Sequence, residues 1–186
     1  MKRRIWLLWL AVLLTGCGAR VDSTGIALEL RGKLNRAEEC GFIANIVADY
    51  GDRTYTFTLD CMSGTDGDLV FRVISPESIS GITGKLSRGG GELVFDDVAL
   101  AFPVLTDGQL SPVSAPWIFL KALRSGYITS AGVVQDRVRI VIDDSYQEES
   151  LSLHLWLDEE NMPTLSEIYF QDRRIMTITI SDYRML

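Results

Sequence analysis

Two stretches of short apolar–polar alternation, separated by one segment of helical period, predict a mainly β, α+β domain built on one antiparallel meander. The connections between the alternating segments are a few residues long. Parallel neighbours need a crossover of a dozen residues or more, so these strands pair with their sequence neighbours. The apolar content, with 16 Gly and only 5 Pro in 186 residues, is that of a globular chain, and no internal repeat marks a second domain.

The N-terminus stands apart. Lys2, Arg3 and Arg4 precede an unbroken run of ten apolar residues, Ile5 to Leu14, the layout of a secretory signal peptide. A membrane-spanning helix needs about 20 such residues, so the run is too short to cross a bilayer. The following Leu14-Thr15-Gly16-Cys17 resembles the lipobox of bacterial lipoproteins. That resemblance implies removal of residues 1–16, a thioether-linked diacylglycerol on Cys17, a lipidated tether over 17–24 and a single domain over 25–186. An ordinary signal peptide with an incidental cysteine is the alternative. Cleavage removes three bases and no acid, taking the formal net charge from −7 to −10. Such a surface repels nucleic acid and anionic headgroups.

Ile26, Leu30, Leu34 and Ala37, with Glu29, Arg31, Lys33 and Arg36 between them, predict an amphipathic helix of about three turns. Gly25 and Gly32 blur its ends. A hairpin follows. Phe42, Ala44 and Ile46 form one alternating set and Tyr55, Phe57 and Leu59 another, folded at Asp49-Tyr50-Gly51-Asp52. Matching the apolar faces pairs Ile46 with Tyr55, Ala44 with Phe57 and Phe42 with Leu59. The same register sets Cys40 opposite Cys61, within disulfide reach. Export favours that bond, and two buried free thiols are the alternative.

Leu69 to Ile74 forms the next strand, stopped by Pro76. Apolar runs around Ile79 to Leu86 and Leu93 to Phe102 continue the meander across a turn at Gly89-Gly90-Gly91. Ser114 then suits a helix cap, Pro116 its first turn, Trp117, Leu120 and Leu123 one face, and Gly126 the stop. Strand patterns return over Val133 to Ile142, Leu151 to Leu157, Leu165 to Phe170 and Ile175 to Ile180, with turns at Asp143-Asp144, Glu159 to Pro163 and Gln171 to Arg173.

Motifs of catalysis are missing. His154, the one histidine, falls on the strand face opposite Leu153 and Leu155, and no Gly-x-Ser-x-Gly elbow accompanies it. A zinc site lacks ligands once Cys17 is acylated and Cys40 is paired. Asp96-Asp97, Asp143-Asp144 and Glu148-Glu149 sit at expected turns without a calcium-loop pattern. The triple glycine lacks the Lys-Ser or Lys-Thr of a phosphate loop. The expectation is a protein that is not an enzyme and carries no cofactor or metal.

A lipidated N-terminus, a first amphipathic helix, a meander, an inserted helix and a closing meander together resemble the LolA/LolB-like lipoprotein carriers. The segments Leu110 to Trp117 and Ala122 to Tyr127 are also similar to stretches in germination lipoproteins of spore-forming bacteria. The first resemblance implies an open antiparallel half-barrel with helices covering its concave face, and a hydrophobic space that holds acyl chains. Trp117, Leu120 and Leu123 would then form a lid over Phe42, Ile46, Phe57 and Leu59. Two functions follow as expectations. One is a membrane-anchored lipoprotein on the extracytoplasmic face that binds lipid or acyl chains. The other is a non-catalytic interaction lipoprotein, with a filled core, that acts on an envelope or spore-cortex enzyme.

Overall fold

The computed structural model describes residues 21–88, 90–95, 98–102, 105–106, 109–145 and 150–186. Cys17, and the acid pairs Asp96-Asp97 and Glu148-Glu149, lie outside them. Helix α1 spans Ser23–Arg36. Strands β1 (Glu39–Asp49), β2 (Thr54–Gly64), β3 (Leu69–Ser75), β4 (Thr83–Ser87), β5 (Gly90–Phe95) and β6 (Val98–Phe102) follow it. The two-residue strands β7 (Leu105–Thr106) and β8 (Gln109–Leu110) lead to helix α2, Ala115–Ser125. Strands β9 (Tyr127–Val134), β10 (Arg137–Asp143), β11 (Leu151–Leu157), β12 (Pro163–Phe170) and β13 (Arg173–Met185) complete the chain.

Eleven strands form one antiparallel sheet in the order β6-β5-β4-β3-β2-β1-β13-β12-β11-β10-β9, while β7 and β8 pair with each other. The first and last long strands meet at its centre, and β6 and β9 remain as edges. The sheet is therefore open, a half-barrel whose concave side carries the two helices.

Helix α1 starts at Ser23, inside the segment expected as tether, because the Asp22 carboxylate accepts the Gly25 N–H at 2.9 Å and caps it. Ala27, Leu30 and Leu34 are its buried apolar face, and Ala37 is the cap beyond its end. Helix α2 is apolar almost all round, as a helix enclosed by protein must be. Trp117, Ile118, Phe119, Leu120, Ala122 and Leu123 are all buried. Phe119 meets Phe42 of β1 edge to face, with centroids 5.6 Å apart. Arg31 of α1 donates to the carbonyls of Leu123 at 2.8 Å and Gly126 at 2.7 Å. A cation thereby satisfies the carbonyl end of α2, where the helix dipole favours positive charge.

Three expectations need correction. The β1–β2 register runs two residues further on than expected, setting Ile46 opposite Phe57, Ala44 opposite Leu59, Phe42 opposite Cys61 and Cys40 opposite Ser63. The cause is the position of the turn, which is one residue further along, at Tyr50 to Arg53 instead of Asp49 to Asp52. Tyr50 N–H bonds to Arg53 C=O at 2.9 Å, and Gly51 takes φ +92°. A two-residue slip leaves every side chain on its face, so the apolar pattern holds while the cysteines part. Cys40 and Cys61 are buried free thiols rather than a disulfide. Burial, the first cause, raises the pKa of both and keeps them protonated.

The second correction concerns Val133 to Ile142, expected as one strand. It is the end of β9 and most of β10, folded at Gln135 and Asp136 with φ 52° and 60°. Positive φ at both central residues is the geometry of a tight hairpin turn. Third, Gly90 and Gly91, expected within a turn, open β5.

Candidate functional site

The concave face is covered unequally. Helix α1 packs against β9, β10 and α2, and α2 packs against β10 and β13. Under the helices, side chains interlock. Towards β6 neither helix covers the sheet, and a cavity of about 390 Å³ opens there. Its walls are Phe57 of β2, Val73 of β3, Leu93 of β5 and Phe102 of β6, with Ile79 and Ile82 from the β3–β4 connection. Ser111, Pro112 and Val113, in the turn before α2, complete it. Among the described residues, no charged side chain lines it. The Ser111 carbonyl already accepts the Ser114 hydroxyl at 2.5 Å, a bond that also diverts Ser114 from capping α2 through its side chain. The cavity's size falls within the range of about 300–1,000 Å³ typical of small-molecule sites, and its lining suits an apolar group without a fixed charge.

Two glycines shape this part of the sheet. A Cβ at Gly84 would lie 2.4 Å from the Phe71 ring, and one at Gly91 would lie 2.2 Å from the Phe102 ring. Each aromatic ring lies across a strand position with no side chain, the arrangement that brings aromatics flat onto a sheet. Phe102 is thus fixed at the border between the apolar cavity and a larger, open recess of about 550 Å³ lined by Lys85, Ser87, Gly90, Gly91, Glu92 and Ala101. That recess is rimmed by charges, and Lys85 is paired with Asp68 at 2.7 Å. Size does not decide here. Charged walls hold water, whereas the smaller space is walled almost wholly by apolar groups.

The residues expected to form a ligand site divide between core and cavity. Phe57 lines the cavity. Phe42, Ile46, Leu59, Trp117, Leu120 and Leu123 are buried in the continuous core, where Trp117 also donates its indole N–H to the Gly67 carbonyl at 3.1 Å. The structure therefore places the proposed lid and all of the wall but Phe57 within one packed core, with the cavity beside it. Ile79, Ile82, Leu93 and Phe102 fall within apolar runs whose pattern marks them only as parts of the meander. The signal that could have singled them out was apolar content on short strands far from either helix.

His154 lies on the other face of the sheet, its ring 4.4 Å from that of Tyr169 and opposite Glu167 in the strand register. Burial, then the Arg139 charge, lowers its pKa. Glu167 accepts from the Tyr169 hydroxyl at 2.9 Å and from Arg174 at 2.5 Å. The carboxylate is thus engaged by its own neighbours. Among the described residues, no group of three or more His, Cys, Asp or Glu is placed to hold a metal ion, and no helix is long and apolar enough to cross a membrane.

No protein-family model matches the chain, and no curated protein sequence does. Solved structures resemble it at low identity. A conserved protein from Thermus thermophilus gives a TM-score of 0.49 at 6% identity, over 89% of this chain and 88% of that one. A LolA superfamily protein from Nitrosomonas europaea gives 0.46 at 10%, over 89% and 94%. The lipoprotein LppX from Mycobacterium tuberculosis gives 0.42 at 10%, over 87% and 96%.

Proposed function

We propose that this protein is an exported lipoprotein that binds a hydrocarbon chain of a lipid or acylated protein in the cavity beside helix α2. The observation that carries the reading is a 390 Å³ cavity on a concave sheet face, lined among the described residues by no charged side chain and left open where the helices stop. Each methylene moved from water into such a space contributes about 0.8 kcal/mol. Binding needs no catalytic group, and the protein acts by sequestering or presenting its ligand.

The lipobox-like Leu14 to Cys17 supports an anchor that keeps the domain at the extracytoplasmic face of a bacterial membrane. Two acyl chains on Cys17 hold a protein firmly where one holds it marginally. Cys17→Ala should leave the protein in the soluble fraction or as an unprocessed precursor. A processed, firmly membrane-bound Cys17→Ala protein would contradict the anchor.

The competing reading, a germination-type interaction lipoprotein acting on an envelope or spore-cortex enzyme, was expected to have a filled concave face, and the cavity weighs against it. Displacement of a fluorescent acyl probe separates the two. Val113→Trp places a large ring in the cavity and should abolish probe binding with little effect on folding. No binding by the unmodified protein, together with a stable complex with an envelope protein, would favour the interaction reading.

A further inference from the structure

The apolar wall does not end where the cavity ends. Along the β5–β6 hairpin, Gly91 pairs with Phe102, Leu93 with Leu100 and Phe95 with Val98. Residues directly opposite in an antiparallel pair share a face, as do alternate residues along a strand. Leu93 and Phe102 line the cavity, so Leu100, Phe95 and Val98 extend that same face outward. They extend it into the open. Phe95 is 62% exposed, Val98 68% and Leu100 64%. Four residues of strand separate the Gly91–Phe102 pair from the Phe95–Val98 pair, about 14 Å at the rise of a β-strand. Among the described residues of the hairpin, no side chain on this face carries a charge, and Glu92 belongs to the opposite face. A contiguous apolar surface in water is costly unless something covers it in use.

We propose that this hairpin face is the track for the outer part of the same hydrocarbon chain whose inner part fills the cavity, so that the ligand class is a long-chain lipid. The inference rests on the cavity-binding reading above. Continuity argues for this occupant, since a chain leaving the cavity past Leu93 meets Leu100 next, and then Phe95 and Val98, without crossing a polar group on that face. A short chain would be satisfied by the cavity alone, whereas a longer one would gain contacts outside it. The hairpin thereby selects for length.

The test measures binding of submicellar lysophosphatidylcholines with eight-, twelve- and sixteen-carbon chains to the unmodified protein, to Leu100→Asp and to Phe95→Ser. These positions are exposed, so folding should survive. The unmodified protein should gain affinity across the whole series. Both variants should bind the eight-carbon lipid within about twofold of the unmodified protein and lose at least tenfold on the sixteen-carbon lipid. Identical length dependence in all three proteins would overturn the track while leaving cavity binding intact. Failure of the unmodified protein to bind any of the lipids would overturn both readings. A change from dimer to monomer on size exclusion, with unchanged length dependence, would assign the face to a second copy of the chain and overturn the proposal.

Discussion

The centre of the concave face and its β6 end are built from the same alternating pattern and meet different fates. On one, Phe42, Ala44 and Ile46 of β1 and Ile178 of β13 are fully buried, with Phe119 and Leu123 of α2 in the same packed core. On the other, Leu93 and Phe102 look into a cavity, and Phe95, Val98 and Leu100 into solvent. Alternation determines which side chains share a face, and helix coverage determines whether that face becomes core or site. Both helices are held over the first region. Arg31 ties α1 to the end of α2, while Arg124 and Trp117 bond to the carbonyls of Gly64, at the end of β2, and Gly67, in the β2–β3 connection. The β4–β6 end has no such cover among the described residues.

Truncation in the covered half should produce the largest effect. Phe119→Ala removes a fully buried ring from the contact with Phe42 and should cost about 3–5 kcal/mol in urea unfolding. Leu100→Ala on the uncovered hairpin, by contrast, should change stability by less than about 0.5 kcal/mol. Arg31→Ala should cost about 2 kcal/mol, because two charge-assisted bonds to helix carbonyls are lost together.

A matched pair of insertions sharpens the comparison. Leu120 is only 2% exposed, so Leu120→Trp should overpack the core and lower stability by about 1–3 kcal/mol. Val113→Trp adds bulk at the cavity wall and should cost less than about 1 kcal/mol, yet displace an acyl probe. Thermal unfolding and probe titration on both proteins would check the contrast. Equal destabilisation would mean that the two regions are packed alike.

The smallest effect lies on the outer face. The folded protein lowers the His154 pKa through burial and the Arg139 charge, whereas unfolding returns it to about 6.5. Between the lowered and the ordinary value the unfolded chain binds more protons, so stability should decline as pH falls through about 6.5. The sign is opposite to that of a histidine stabilised by a carboxylate. His154→Phe should flatten this part of the stability profile, as followed by chemical unfolding at stepped pH.

The antiparallel meander and both helices were legible because their periods differ and their caps are local. Pro116 and Gly126 act within one turn of the helix that they bound, whereas the Asp22 cap of α1 lies in the segment expected as tether. Register was less legible, since a slip of two residues preserves every face. Choosing between opposing Cys40 with Cys61 or with Ser63 required the position of the turn, at Tyr50 to Arg53 rather than one residue earlier. The tripeptide Gln-Asp-Arg at 171–173 reads as a turn between two strands, while the same tripeptide at 135–137 reads as a continuation of strand. There the flanking Val133, Val134 and Val138 mask a turn that has no glycine or asparagine. The candidate site was legible only through Phe57. Trp117, Leu120 and Leu123 have the pattern of a helix face whether they meet a ligand or a core, and the distinction depends on where the helix lies across the sheet.

Native mass spectrometry of the protein purified from membranes tests the central claim most directly. The uncovered region is expected to carry one noncovalently bound lipid per chain, present on the unmodified protein and on Leu120→Trp that remains folded, and missing from Val113→Trp. A protein that carries no lipid and takes up none on incubation with submicellar lysophosphatidylcholine, or one that retains bound lipid equally well in Val113→Trp, would contradict it.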